Sequence, residues 1–248
     1  MNETNRGIIL TGTVLAVGLI IGAWVLGAQI KATRLSDRYV TVKGLVERTV
    51  KSDLAIWPLT YKEAGDDLSL VYAKTDTDKK AILEFLDQNG IKTSEIELGL
   101  VRVVDTQANE YGGVRAARRY IIEQQITVRS PRVDQIAAAA QKTIQLVQKG
   151  IVLNSNPGQG LTYKFNGLNS IKPDMITEAT RNARAAADRF AADSGSKVGS
   201  IRQANQGTFS ILPANQGSDE GGEGAYAADS SLMKTVRVVT SVQYYLDK

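Results

Sequence analysis

The residues that come closest to doing chemistry here are carboxylates in short runs. Asp66 and Asp67 are adjacent, with Asp76 and Asp78 further on, and two carboxyls in unlike surroundings can divide the work of general acid and general base. Their positions before and early in a helical pattern that opens near Leu68 have a simpler reading, a favourable interaction with the positive end of that helix. A second acidic group, Asp219, Glu220 and Glu223, lies among glycines in Gly217-Ser218-Asp219-Glu220-Gly221-Gly222-Glu223-Gly224 and suggests a calcium loop or an acidic contact patch. It lacks the alternating oxygen ligands and closing bidentate Glu of an EF-hand loop. It also fails as a phosphate cradle, since no GxxxxGK[ST] run accompanies its glycines. Arg115, Arg118 and Arg119 gather at a hairpin tip, where guanidinium groups could bind a neighbour's carboxylates or lipid phosphate, or simply form a solvated turn.

What is missing narrows the chemistry further. The chain contains no His and no Cys, which removes Cys or His zinc sites, thiol nucleophiles, haem ligation, disulfides and Ser-His-Asp triads. Carboxylate chemistry and a hydrolase built on Ser and Lys stay open, but no motif supports either, so no catalytic, cofactor or metal residue is assigned. A cysteine-free chain suits oxidising and reducing compartments equally. Lys and Arg number 30 against 26 Asp and Glu, and the surplus is scattered, whereas nucleic-acid binding calls for a clustered cationic surface.

The elements that must carry these residues begin with a charge-free run from Ile8 to Ala28, IILTGTVLAVGLIIGAWVLGA. At about 1.5 Å per residue it makes roughly 31 Å of helix, matching a hydrocarbon core of about 30 Å. The sequence is therefore divided into a short cytoplasmic N-terminus (1–7), a transmembrane signal anchor (8–28), a linker (29–38) and a body (39–248). A signal peptide cleaved after Gly27, with Val25 and Gly27 as the small residues, is the competing reading. Arg6 before the span and Lys31, Arg34 and Arg38 after it would by themselves favour the reverse orientation, although long domains translocate despite such flanks. Small residues recur four apart at Gly12 and Ala16, Gly18 and Gly22, and Ala23 and Gly27. That spacing permits close helix packing in lipid, or reflects only the frequency of Gly and Ala in membrane helices. Trp24 suits the headgroup region.

The body reads as α+β. Alternation in Tyr39–Gly44 opens a strand and Leu54–Tyr61 its hairpin partner, with Pro58 at an edge or bulge. A helix follows over 68–88 with Val71, Ile82, Phe85 and Leu86 on one face and Gly90 as its stop. Strands at 95–105 and 118–129 flank a polar loop. Ser130-Pro131 is expected to supply the N-cap and first-turn proline of a second helix closed by Gly150. Gln88-Asn89-Gly90-Ile91 and Gln148-Lys149-Gly150-Ile151 both end a helix before a strand, so two ββα repeats fill 39–150. A βαββ arrangement then fills 151–248: a strand over 161–167, a third helix from Pro173 to Asp193, a strand over 199–212, a mobile loop over 214–231 and a last strand over 235–246. That strand alternates Val236, Val238 and Thr240 outward from Arg237 and Val239. Tyr244 and Tyr245 point to opposite faces, one to the core and one to a subunit contact. The expected architecture is antiparallel sheets packed against three helices.

The run Tyr39-Val40-Thr41-Val42-Lys43-Gly44 followed by Ala55, the Gly90-Ile91 stop with Glu95-Ile96 after it, and Arg119-Tyr120 leading into Ile126-Thr127-Val128 resemble the SIMPL-domain family. So do Ala183-Arg184-Ala185-Ala186-Ala187, Gly195-Ser196-Lys197-Val198-Gly199 and the terminal valine-rich strand. The likeness covers about 39–247. It implies an α+β, mostly bacterial envelope protein of poorly defined biochemical role, brings no catalytic motif, and includes member types that form ring- or channel-like homo-oligomers. The apolar span and the acidic glycine loop depart from the family pattern.

Together these readings give a non-enzymatic scaffold of the bacterial inner membrane, single-pass with its body in the periplasm, that self-assembles into a high-order homo-oligomer. Its partners are the bilayer through 8–28, copies of itself, with Arg115, Arg118 and Arg119 facing Asp219, Glu220 and Glu223, and an unidentified envelope protein. The alternative is a stress-related adaptor or chaperone-like module acting on another envelope protein. Residues 8–28 are expected on the mature chain, and mass spectrometry of the native N-terminus checks this. A chain beginning near Ala28 would remove the anchor.

Overall fold

A computed structural model of the chain describes residues 16–24, 38–108, 117–154, 160–214 and 230–247. It is an α+β protein with, among the described residues, nine strands: β1 (Tyr39–Lys51), β2 (Leu54–Gly65), β3 (Ile96–Leu98), β4 (Arg102–Asp105), β5 (Tyr120–Ser130), β6 (Thr162–Lys164), β7 (Lys197–Gln206), β8 (Ser210–Pro213) and β9 (Met233–Asp247). The helices of the described body are α1 (Leu68–Gln88), α2 (Val133–Gln141), α3 (Ile144–Gln148) and α4 (Leu168–Asp193). The chain divides into two compact units, one of Met1–Val46, Met175–Thr208 and Val238–Lys248, the other of Glu47–Asp174 and Phe209–Arg237.

In the first unit the strands run in the order β1-β9-β7. One face of α4 carries Met175, Ala179, Ala183, Ala187 and Ala191, all buried, at the four-residue spacing that keeps side chains on one stripe. Ala183 and Ala187 pack with Val42, Val242 and Tyr244. The stripe is alanine because the backbone of β1 comes close: a Cβ on Gly44 would sit 1.8 Å from the Ala179 carbonyl oxygen and 2.8 Å from the Ala183 nitrogen. Arg184, one residue off the stripe, lies over the Tyr244 ring at 5.3 Å and donates to the Val198 carbonyl at 3.2 Å. The cation thus covers the aromatic face while its donors are satisfied.

The second unit holds a five-stranded sheet in the order β3-β5-β2-β6, with β4 also on β5. β2 and β5 pair antiparallel from Ala55↔Ser130 to Gly65↔Tyr120. Alternate residues Ala55, Trp57, Leu59 and Tyr61 of β2 and Ile126 and Val128 of β5 form a core with Ile82, Phe85 and Leu86 of α1, Ile136 of α2 and Leu146 of α3. The anticipated α1 has the bounds read from sequence, and its four named apolar residues are buried. Asp67 is its N-cap, with Oδ1 accepting from the backbone N–H groups of Ser69 at 2.8 Å and Leu70 at 3.2 Å. Three helices end alike: Gly90, Gly150 and Gly195 have φ of 74°, 82° and 66°. The following residue donates back five positions, Ile91 to Leu86, Ile151 to Leu146 and Ser196 to Ala191. This is the Schellman closure that a left-handed glycine allows.

Several expectations need correction. β1 and β2 are not a hairpin: β1 neighbours β9, and β2 pairs with β5 and β6. Ser52-Asp53 between them lacks the glycine or asparagine that a two-residue hairpin turn needs. Its hydrogen bonds lead elsewhere, from Ser52 N–H to Leu232 O and from Asp53 N–H to Lys164 O, each at 3.0 Å. The Asp53 carboxylate also accepts from the backbone N–H groups of Asn166 at 2.9 Å and Gly167 at 2.8 Å, just before α4. With β1 and β2 in different sheets, the first ββα repeat does not exist as a sheet unit, and only the helix ending repeats. The second helix is broken at 142–143 into α2 and α3. Ser130 does not cap it. Arg132 holds the N-cap position without a side-chain bond, because the Ser130 hydroxyl donates to Glu95 at 2.7 Å while accepting from Arg132 N–H at 3.0 Å. α4 starts at Leu168, upstream of Pro173. The strand expected over 199–212 splits into β7 and β8 at Gly207, where a Cβ would meet the Val239 carbonyl oxygen at 2.1 Å. On β9, Val236, Val238 and Thr240 are buried, so they face inward. Tyr244 is buried and Tyr245 half-buried, on opposite faces as expected. Asp76 and Asp78 lie beyond the first turn of α1: Asp76 pairs with Lys79 at 2.6 Å and Lys80 at 2.8 Å, and Asp78 is buried.

One polar network ties the turn after α1 to the start of α2. Arg132 pairs with Glu95 and donates to Gly90 O at 3.1 Å and Gln135 Oε1 at 2.8 Å. Burial alone would raise the Glu95 carboxyl. The hydrogen bonds from Arg132, Ser130 and the Lys92 N–H outweigh it and hold the group at about 2. A depressed folded-state value contributes stability that is full above the ordinary 4.5 and is lost as pH falls toward 2.

Two expected outcomes follow from this packing. Gly44→Ala should lower stability by about 1–3 kcal/mol or more by overpacking, seen as a lower urea midpoint with unchanged slope. A midpoint equal to wild type would mean that the β1–α4 approach is not tight. Glu95→Gln should cost about 1–3 kcal/mol at pH 7 and flatten the stability loss between pH 4.5 and 2. An acid limb as steep as wild type in urea titrations would assign that loss to other carboxylates.

Candidate interaction surface

The most exposed apolar residue of the second unit, Leu100, lies on a sheet edge with three other exposed apolar residues. β3 pairs with β5 from Ile96↔Val128 to Leu98↔Ile126, and β4 resumes the pairing from Arg102↔Glu123 to Asp105↔Tyr120. Three residues on the edge, 99–101, thus oppose two on β5, a one-residue bulge. Gly99 sits in it, donating to Gln125 O at 2.8 Å. The bulge turns Leu100 outward to 95% exposure, and Leu98, Val101 and Val103 are 54%, 47% and 52% exposed. Arg102 is exposed and has no ion-pair partner among the described residues. Glu97 on the same edge pairs with Arg129 at 3.2 Å. Edge strands are normally short, bulged or charged to prevent pairing. This one is short and bulged yet keeps four apolar side chains in solvent. The sequence signal was present: Leu98-Gly99-Leu100-Val101-Arg102-Val103-Val104 is too apolar for a protected edge, but identifying it required knowing that no strand lies beyond it among the described residues.

At the end of this edge sit two of the three arginines singled out from sequence. Arg118 pairs with Asp66 at 2.8 Å, whose other oxygen accepts the Arg119 backbone N–H at 3.1 Å. Arg119 pairs with Asp105 at 3.1 Å and stacks over Tyr120 at 4.8 Å. The Arg118 guanidinium and the Arg119 N–H hold the Asp66 carboxyl below its ordinary range, and Arg119 does the same for Asp105. These arginines therefore fasten the β4–β5 end to the residue before the α1 cap. Arg115, Asp219, Glu220 and Glu223 lie outside the described residues, as does most of the expected loop at 214–231.

Of the small residues in the N-terminal span, Ala16, Gly18, Gly22 and Ala23 lie on an exposed helical segment over 16–24, with nothing within 4 Å of a Cβ placed on either glycine. Gly12 and Gly27 lie outside the described residues. Among the described residues no helix is long and apolar enough to cross a membrane.

Among the described residues no group of three or more acidic side chains could hold a metal ion. A concavity of about 490 Å³ at the start of α2 is lined by Lys51, Ser52 and residues 131–135. The Lys51 ammonium there is taken by Asp134 at 2.5 Å. The Ser52 hydroxyl is buried with no hydrogen-bond partner, so Ser52 and Lys51 are not arranged as nucleophile and base.

Comparison with known proteins agrees with the motif reading. Residues 40–244 match the family described as SIMPL, "Protein of unknown function (DUF541)". No curated protein matches the chain. With nearly all of its described body inside that match, the protein belongs to the SIMPL-domain family, whose function is unknown.

Proposed function

We propose that this protein is a non-enzymatic envelope scaffold, anchored by residues 8–28, whose body self-associates through the bulged edge of its larger sheet. The observation that carries the reading is the exposed apolar run Leu98, Leu100, Val101 and Val103 on an edge with no strand beyond it among the described residues. Unpaired N–H and C=O groups beside exposed apolar side chains make a template for strand addition. A second copy is the occupant that the charges favour. An antiparallel register that sets Glu97 across from the second copy's Arg102 also sets Leu98 across from its Val101. Opposite charges and apolar pairs then meet twice, once on each side of the twofold axis. Ring closure needs a further contact, for which Arg115, Arg118 and Arg119 against Asp219, Glu220 and Glu223 are the complementary set. Arg118 and Arg119 keep donors beyond their in-chain carboxylates.

Sedimentation of the full chain in detergent at micromolar concentration tests this. A discrete assembly larger than the monomer is expected, and Leu100→Asp with Val103→Asp should shift it to smaller species without lowering thermal stability. A wild-type monomer would sink the scaffold reading. A monomer that copurifies with one stoichiometric second protein would favour the adaptor.

A further inference from the structure

Beneath α1 lies a cluster that neither the assembly surface nor the core packing explains. Asp78, in the middle of α1, is only 3% exposed. Its Oδ1 is bound by Lys74 one turn earlier, and its Oδ2 is buried with no hydrogen-bond partner among the described residues. The same Lys74 ammonium stands 3.6 Å from Oε1 of Glu63 on β2, whose side chain is 22% exposed. Two carboxylates thus share one ammonium, and the more deeply buried one keeps an unsatisfied oxygen. Buried oxygens are seldom left so.

We propose that Glu63 binds a proton and donates it in a hydrogen bond to Asp78, and that this bond latches α1 onto β2 so that the helix–sheet contact tightens as pH falls. With both carboxyls ionised the cluster carries two negative charges against one positive. One proton taken from solvent onto Glu63 removes the excess, leaves the Lys74–Asp78 pair intact, and supplies an O–H that donates to Asp78 Oδ2. Two like charges in one partly buried site disfavour ionising both, so Glu63 holds its proton more firmly than an isolated carboxyl does.

The surrounding groups do not supply this proton's role. From β2, Tyr61 faces the cluster. Its hydroxyl donates to Gln124 of β5 at 2.7 Å, and burial together with the charges of Asp78 and Asp76 raises it. Lys62 and Glu123 pair with each other at 3.4 Å. On α1 itself, Asp76 is held by Lys79 and Lys80. α3 carries no ionisable side chain, and Lys149 after it pairs with Glu84 nearer the far end of α1. Burial first, and then the contact with Asp78, push the Glu63 carboxyl above its ordinary 4.5, with Lys74 opposing. A raised folded-state value means stability that is full below pH 4.5 and is lost as pH rises through the raised value. Glu95, Asp66 and Asp105, held low, have the opposite dependence. The latch must therefore be read locally and by difference.

Two measurements on the full chain decide it. Carboxyl carbon NMR should show Glu63 taking up its proton with a midpoint above 4.5, and a midpoint at or below that value would falsify the latch. Amide hydrogen exchange of α1, corrected for intrinsic rates, should show protection rising severalfold in wild type from pH 8 to pH 5. In Glu63→Gln, whose amide donates to Asp78 Oδ2 at every pH, protection should stay at the acid level throughout. Equal loss at all pH in that variant, or a pH dependence the same as wild type, would reduce Glu63 to an ordinary surface contact. The NMR arm needs no variant to fold.

Discussion

Between Lys51 and Leu54 the chain has two residues in which to leave one sheet and enter another, and the hydrogen bonds at Ser52 and Asp53 set the topology on either side. The Ser52 N–H goes to Leu232 beside the start of β9, and the Asp53 N–H goes to Lys164 of β6. The Asp53 carboxylate receives the N–H groups that precede α4. Three later segments, distant in sequence, are thus registered against one corner. Because β1 is released there from any pairing with β2, it is free to neighbour β9, and β2 becomes an inner strand between β5 and β6. The price of such a corner is a buried Ser52 hydroxyl with no partner, a modest cost if the surrounding backbone bonds are all made.

Local signals were legible where one segment settles its own structure. The bounds of α1 follow from an Asp cap, an apolar stripe and an Asn-Gly stop, all within the helix and its flanks. The glycine endings at 90, 150 and 195 required only knowledge that a left-handed residue closes a helix. Failures occurred where a distant partner outcompetes the local rule. Ser130 followed by proline is a good cap signal, but Glu95, 35 positions earlier, captures the hydroxyl. Lys51 and Leu54 look like the arms of a turn until Leu232 and Lys164 claim the intervening N–H groups. The proline at 173 reads as a helix start, yet α4 begins before it with its preceding N–H groups already received by Asp53.

The same distinction explains the interaction surface. Grouping Arg115, Arg118 and Arg119 was possible from spacing alone, but the Asp66 that binds Arg118 lies 52 positions away, so no local pattern could show that two of the three are engaged within the chain. The family motifs fared differently, and their physics is now visible. Gly44 and Ala183, far apart in the sequence and quoted separately as marks of likeness, are two sides of one backbone approach. A motif of small residues was legible as a motif. Its reason became readable only when β1 and α4 were placed face to face.

The glycine that closes α1 has a further consequence, for the chemical ageing of the chain. Asn-Gly is the dipeptide in which succinimide formation, and hence deamidation, meets least steric resistance, because the glycine nitrogen can reach the asparagine side-chain carbon. In the folded protein that nitrogen donates to Asp87 O at 2.7 Å, and the Asn89 amide donates to Phe85 O at 2.8 Å while its oxygen accepts from Lys142 at 3.1 Å. Attack would require breaking the helix closure and turning the amide out of these contacts. The fold therefore shelters this Asn-Gly linkage, and conversion of Asn89 to aspartate or isoaspartate becomes a cumulative record of how often the end of α1 has come undone.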